Sequence, residues 1–150
     1  MAVDMNPDLL ALSIQQPWAE LILRGIKTIE VRRVQARPRT QIYLYASQRL
    51  STLAGISELI SRHEIQAESL PRGMIVGTVE IVDCRHSCAE DAAAAQISSA
   101  LLVETYSWVL GNPRRLSQPV PPRYVPFGTW FYPFKRLRAN RRPRSEHGGD

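Results

Sequence analysis

An ammonium, a carboxylate and a guanidinium lie close together in Gly25-Ile-Lys-Thr-Ile-Glu-Val-Arg32, carried by Lys27, Glu30 and Arg32. A cationic pair with one carboxylate suits a nucleotide or a phosphodiester. The same trio suits proton transfer, because a lysine becomes a base or nucleophile once burial or a neighbouring cation lowers its pKa. Upstream, Ser13 and the Gln16-Pro17-Trp18 segment precede a helical run whose first N–H groups attract anions. Downstream, Tyr43, Tyr45 and Ser47 alternate, so that one strand face carries groups able to stack a base and bind its sugar. Glu80 offers a second carboxylate. The ordinary structural roles are a surface ion pair for Glu30, core packing for Trp18, a half-buried sheet face for the tyrosines and solvation for Glu80.

The elements that must position these groups are legible from periodicity. Leu9 to Ile14 reads as a strand, and Pro17 sits where a first helical turn tolerates it. Residues 18–24 continue as a helix to Gly25, whose freedom at positive φ allows a tight turn. Thr28 to Arg32 alternates as a half-buried strand. An ideal strand sets Lys27 and Glu30 on opposite faces, so their joint use requires a turn or bulge near Thr28. Residues 41–47 form the clearest strand, residues 51–62 an amphipathic helix, and residues 74–82 a long strand with a bulge at Gly77. Residues 89–102 read as one helix or two short ones, and 106–110 as a strand. An irregular connection follows from Asn112, and 127–132 make a last aromatic strand. Strands outnumber helices without a repeating βαβ rhythm, which predicts an α+β chain: a mixed sheet or small barrel with helices at its ends.

The 150 residues suit one domain, and 44% hydrophobic with 22% charged side chains is ordinary globular composition. No apolar run approaches a membrane span and Met1 to Pro7 lacks the pattern of a signal peptide, which predicts a soluble, cytoplasmic protein. The net charge of +5 is concentrated at the C-terminus. Residues 135–150 hold six Lys and Arg side chains against Glu146 and Asp150, and read as a disordered basic arm that attracts phosphates or merely solvates the chain. Only Lys27 and Lys135 are lysines among nineteen basic residues, so the folded body retains one ammonium. Cys84, His86 and Cys88 lie close together, but a closed zinc site needs four ligands at recognised spacing. They are taken as free thiols and a lone imidazole, with no metal and no cofactor expected.

Leu12-Ser-Ile-Gln-Gln-Pro-Trp-Ala19 followed by Gly25-Ile-Lys-Thr-Ile-Glu-Val-Arg32 resembles the signature of the ASCH domain, a relative of the PUA fold. The resemblance extends with lower specificity through Tyr43 to Ser47, Gly73 to Val82, and Trp108 to Trp130. It implies a PUA-like small β-barrel with helices packed at its ends, a domain over residues 1–134, and a cleft that binds RNA or a modified nucleoside. Ser13, Gln16, Trp18, Lys27, Arg32, Tyr45 and Ser47 are the binding candidates. It also implies an alternative: a hydrolase of the same fold, an acylated-cytidine amidohydrolase or a ribonuclease, with Lys27 as leading catalytic residue and Glu30 or Glu80 carrying the proton.

Overall fold

Alternating apolar residues in the middle of the chain build a sheet that is buried on both faces. The computed structural model describes residues 4–36, 39–124, 126 and 128–136. In chain order the elements are β1 (Ala11–Gln16), α1 (Trp18–Leu23), β2 (Ile29–Arg32), β3 (Gln41–Leu50), α2 (Ile56–Arg62), β4 (Met74–His86), α3 (Asp91–Ala95), β5 (Tyr106–Val120) and β6 (Trp130–Phe131), with 3-10 turns at Ala67–Ser69 and Ser99–Leu102. The strands pair in the order β2-β5-β4-β3-β1-β6, parallel only between β1 and β3. Ile42, Leu44 and Ala46 of β3 turn one way into the main core beneath α1 and α2. Tyr43 and Tyr45 turn the other way into a second core with Ala11, Ile75 and Phe131.

The chain is α+β as expected, but the sheet is open where a closed barrel was anticipated. β6 has only two residues, and among the described residues no ladder joins β2 to β1 or β6. Side chains cross that gap instead. Arg32 Nη2 donates to the Ser13 carbonyl at 3.2 Å, and the rings of Trp108 and Trp130 stack with centroids 5.8 Å apart. This seam between β1 and β2 is where the candidate site lies.

Two strands run further than periodicity indicated. β4 continues to His86, and β5 continues through Pro113 and Pro119, where an irregular connection was expected. Proline lacks the N–H that a ladder requires, and bulges absorb both residues. β5 passes from Gly111 to Arg114 while β4 passes from Glu80 to Thr78. It then advances from Arg115 to Val120 against Gly77 and Ile75. The register also shifts beside Gly77, as anticipated. Gly77 packs under α1, where a Cβ would run into the Arg114 carbonyl oxygen and the Leu23 side chain. The arm is described only as far as Arg136, with Lys135 Nζ 3.3 Å from Asp8 Oδ1, and its remainder lies outside the described residues. Among the described residues no helix is long and apolar enough to cross a membrane.

α1 is tied to β5 through a buried carboxylate. Glu20 accepts two hydrogen bonds from Arg115, at 2.7 and 2.8 Å, and one from Arg24 at 2.7 Å. Burial alone would raise its pKa, but the two arginines outweigh burial and hold it below the ordinary 4.5. A carboxylate whose folded pKa is depressed contributes stability above the unfolded value and loses it as pH falls through the folded one. Glu20→Gln is therefore expected to lower stability by about 1–2 kcal/mol at neutral pH, since both arginines keep part of their hydration. The difference from wild type should shrink as pH falls below about 4.5. Urea denaturation at pH 7 and pH 3 checks this.

Candidate functional site

Lys27 reaches the cleft because α1 ends in a tight turn. Gly25 adopts φ +75° at the helix end, and the N–H groups of Ile26 and Lys27 both donate to the Leu21 carbonyl, at 3.0 and 3.1 Å. Lys27 thus precedes β2, so strand alternation does not bind it, and its side chain folds back against α1. It is 3% exposed. Nζ lies 4.9 Å from the ring centre of Trp18 and donates to the Ala95 carbonyl at 2.6 Å.

That acceptor belongs to the C-terminal end of α3, where a cation is favoured by the helix dipole. The N–H of Thr28 donates to the adjacent Ala94 carbonyl at 2.9 Å, so Lys27 and Thr28 together clasp this helix end. Asp91 fixes the other end. Its carboxylate accepts two bonds from Arg85 at 2.7 Å, one from the Cys88 N–H at 3.0 Å and one from the Ser107 hydroxyl at 2.8 Å. The Arg85 guanidinium first, then these smaller donors, hold Asp91 well below the usual carboxylate range. A hydroxyl chain runs on from Ser107 through Ser87 to Thr105, in steps of 2.8 Å, and Thr105 stands in the cavity wall beside Lys27.

Glu30 and Arg32 share the inward face of β2. Glu30 is 8% exposed. Its Oε1 accepts from the Val31 N–H at 3.0 Å, while Oε2 has no hydrogen-bond partner and lies 3.7 Å from Arg32 Nη2. Arg32 also sits over Trp108, 5.8 Å from the ring centre. Burial pushes the Lys27 pKa below its ordinary 10.5; Glu30 opposes that shift and Arg32 adds to it.

Two cavities adjoin at this carboxylate. One, of about 320 Å³, is lined by Trp18, Lys27, Glu30, Arg32 and the apolar side chains of Leu53 and Ile97. The other, of about 460 Å³, opens along the seam between Ser13, Glu30, Arg32, Ser47 and Thr129. Trp18 borders both, and also a third groove of about 410 Å³ between α2 and α3.

The structure thus brings together Ser13, Trp18, Lys27, Glu30, Arg32 and Ser47. It places the other candidates elsewhere. Gln16 is 1% exposed, its side chain accepting from the Glu20 N–H at 3.0 Å and donating to the Pro71 carbonyl at 3.1 Å, so it locks the start of α1 and leaves the cleft. Tyr45 meets Phe131 edge to face at 5.2 Å in the second core. Glu80 accepts from Asn112 at 2.8 Å on β4, which β5 separates from β2 and β3 separates from β1, too central in the sheet to reach the seam. Cys84 Sγ accepts from the Ala36 N–H at 3.3 Å, and the His86 ring packs on Tyr106. Among the described residues no three His, Cys, Asp or Glu side chains cluster as metal ligands.

The walls from Leu53, Ile97 and Thr105, and the carbonyl of Ala95, escaped the sequence reading. Asp91 opening an alanine run is a helix-start signal, but nothing local indicates that this helix ends against Lys27.

Comparison with known proteins agrees with this fold. Activating signal cointegrator 1 of Homo sapiens is 30% identical over 80 residues, which is 49% of this chain and 14% of the human protein. The Mus musculus protein of that name matches to the same extent. The chain therefore spans only a small part of either relative. Among solved structures, ASCH from Zymomonas mobilis superposes with a TM-score of 0.58 at 15% identity, covering 89% of this chain and 90% of the other, a likeness of fold. A tyrosine-to-phenylalanine variant of that protein gives a TM-score of 0.56 at 14% identity, covering 87% and 90%. The ASCH domain family model matches residues 12–120, and with the paired motif and the fold in place the chain belongs to the ASCH domain family.

Proposed function

We propose that the seam cleft binds a nucleotide-containing ligand, single-stranded RNA or a modified nucleoside. The observation that carries this is the convergence of Trp18, Glu30 and Arg32 on two adjoining cavities of about 320 and 460 Å³, with Lys27 in the wall of the first. Apolar walls with a few convergent polar groups and a volume of several hundred Å³ are the usual form of a small-ligand site. Lys27 and Arg32 supply charge for a phosphate, Leu53 and Ile97 supply an apolar wall for a base, and the six basic residues of 135–150 add phosphate neutralisation without sequence preference. Fluorescence anisotropy with a short labelled RNA is expected to show binding that weakens as salt rises. Binding that is absent at low salt and absent for acylated cytidine overturns the reading.

A second reading, hydrolysis at the same cleft, draws on one specific observation: a lysine of lowered pKa with a carboxylate beside it. In that reading Lys27 in its amine form takes a proton from water, the hydroxide adds to the acyl carbon, the bond from that carbon to the cytosine nitrogen breaks, and Glu30 relays the proton to the departing amine. The chain holds only two lysines, so selective 13Cε-lysine labelling yields two side-chain resonances whose titration can be followed directly. Lys27 is expected to titrate below 10.5. Because the folded value is the lower one, the native state sheds this proton first, and the group's contribution to stability rises with pH between the two values. A Lys27 resonance that titrates at or above 10.5, with no turnover of acylated cytidine or RNA, removes the hydrolase.

A further inference from the structure

Glu30 is a costly residue to keep where it is. A buried carboxylate oxygen without a hydrogen-bond donor loses hydration that the 3.7 Å ion pair to Arg32 replaces only in part. Among the described residues Glu30 Oε2 is the one buried side-chain oxygen or nitrogen left without a hydrogen-bond partner, and Glu30 lines both cavities. We infer that Glu30 is the specificity-determining residue of the cleft: it accepts a hydrogen bond from an uncharged donor on the ligand, a sugar hydroxyl or an exocyclic base amine. The inference rests on the nucleotide-binding reading and deepens it.

Charge excludes the alternatives. A bound cation at Oε2 would face Arg32 Nη2 at 3.7 Å and the ammonium of Lys27 in the same cavity. A phosphate there would face the carboxylate itself, and belongs on Arg32 or the neighbouring Arg33 in the cavity wall. A neutral N–H or O–H suffers neither repulsion and satisfies the oxygen. Oε1 is already engaged by Val31, so one acceptor position remains for the ligand. Rotation about the last side-chain bond of a glutamate is broad, so a modest turn that keeps the Val31 bond brings the unpaired oxygen toward a ligand in a cavity that Glu30 lines. Carboxylates accept from the amine of cytosine, and a 2′-hydroxyl is the group that distinguishes RNA from DNA.

The test compares three oligonucleotides of equal length: oligocytidine RNA, its deoxy counterpart, and oligouridine RNA. Anisotropy is measured for the wild type, Glu30→Ala and Glu30→Gln. The wild type is expected to bind oligocytidine RNA about tenfold or more tightly than at least one counterpart, the order of magnitude of one hydrogen bond to a charged acceptor. Loss with the deoxy chain assigns the sugar hydroxyl as donor, and loss with uridine assigns the exocyclic amine. Glu30→Ala is expected to bring the three within about twofold of one another. Glu30→Gln keeps the shape and a weaker acceptor and should retain part of the discrimination, which carries the test if the alanine variant folds poorly. Equal wild-type affinities, or discrimination that Glu30→Ala leaves intact, overturn the inference alone when binding still depends on Lys27. No binding to any of the three overturns the inference, and no binding to acylated cytidine either overturns the reading beneath it as well.

Discussion

Lys27→Met is expected to weaken RNA binding about ten- to a hundredfold, the scale of a lost hydrogen bond from a charged donor at about 1.5–3 kcal/mol. Methionine keeps the length and apolar contacts of the stem, so the cavity walls at Trp18 and Leu53 stay in place. Two effects on stability oppose each other. The Ala95 carbonyl loses its 2.6 Å donor, while a nearly fully buried charge no longer needs to be desolvated. The melting temperature should therefore move by only a few degrees, about 1 kcal/mol or less. Lys27→Arg is expected to behave like the methionine variant in binding, because a planar guanidinium does not reproduce the compact ammonium that meets the Ala95 carbonyl at 2.6 Å and the Trp18 ring at 4.9 Å. An exposed cation would tolerate that exchange. If Lys27→Met binds RNA as the wild type does, Lys27 serves only to hold α3.

Gly77→Ala is expected to give the largest loss of stability of any single methyl addition considered for this chain. The new Cβ would collide with a backbone oxygen, that of Arg114, as well as with Leu23 of α1. Backbone cannot move aside as the end of a flexible side chain can, and overpacking of this kind costs about 1–3 kcal/mol. The site sits on both elements involved, since α1 carries Trp18 and β5 holds β2 in register. Thermal denaturation should show a melting temperature lower by about 3–10 °C. Gly111→Ala is the control, because its Cβ would meet only a Val82 methyl, at 3.1 Å. Equal stability of both variants would show that the strand pair spreads to admit the methyl.

Most of the fold was legible because it depends on local periodicity. The alternation in β3, the apolar spacing in α2, the alanine run of α3 and the Gly25 turn each announce an element, and all four occur. What escaped was set by distant partners. Proline in β5 argues against a strand on local grounds, and only the bulges against β4 reconcile Pro113 and Pro119 with pairing. Barrel closure is likewise a global property, decided here by a β6 of two residues.

The site divides along the same line. Lys27, Glu30 and Arg32 are adjacent in sequence and share the cleft, and Trp18 joins them through the turn at Gly25. Gln16 has the chemistry of a ligand-binding amide, but its two ends are consumed by the Glu20 N–H and the Pro71 carbonyl, 55 residues away, which no local pattern reveals. Glu80 failed for a topological reason. Strand order, not chain order, decides which carboxylate reaches the seam.

The unclosed seam also bears on how the cleft moves. A ladder between β1 and β2 would make widening the cleft as costly as peeling a strand from the sheet. Here, among the described residues, the span is held by a guanidinium-to-carbonyl bond from Arg32 to Ser13 and by the stacked Trp108 and Trp130 rings. Widening it on the Arg32 side breaks that one bond and peels no strand, while Trp108, buried in the core and bonded to the Val34 carbonyl, keeps its end fixed. The cleft can therefore widen without any strand leaving the sheet. On the proposed RNA-binding reading, a strand would then be admitted sideways, without an end to thread.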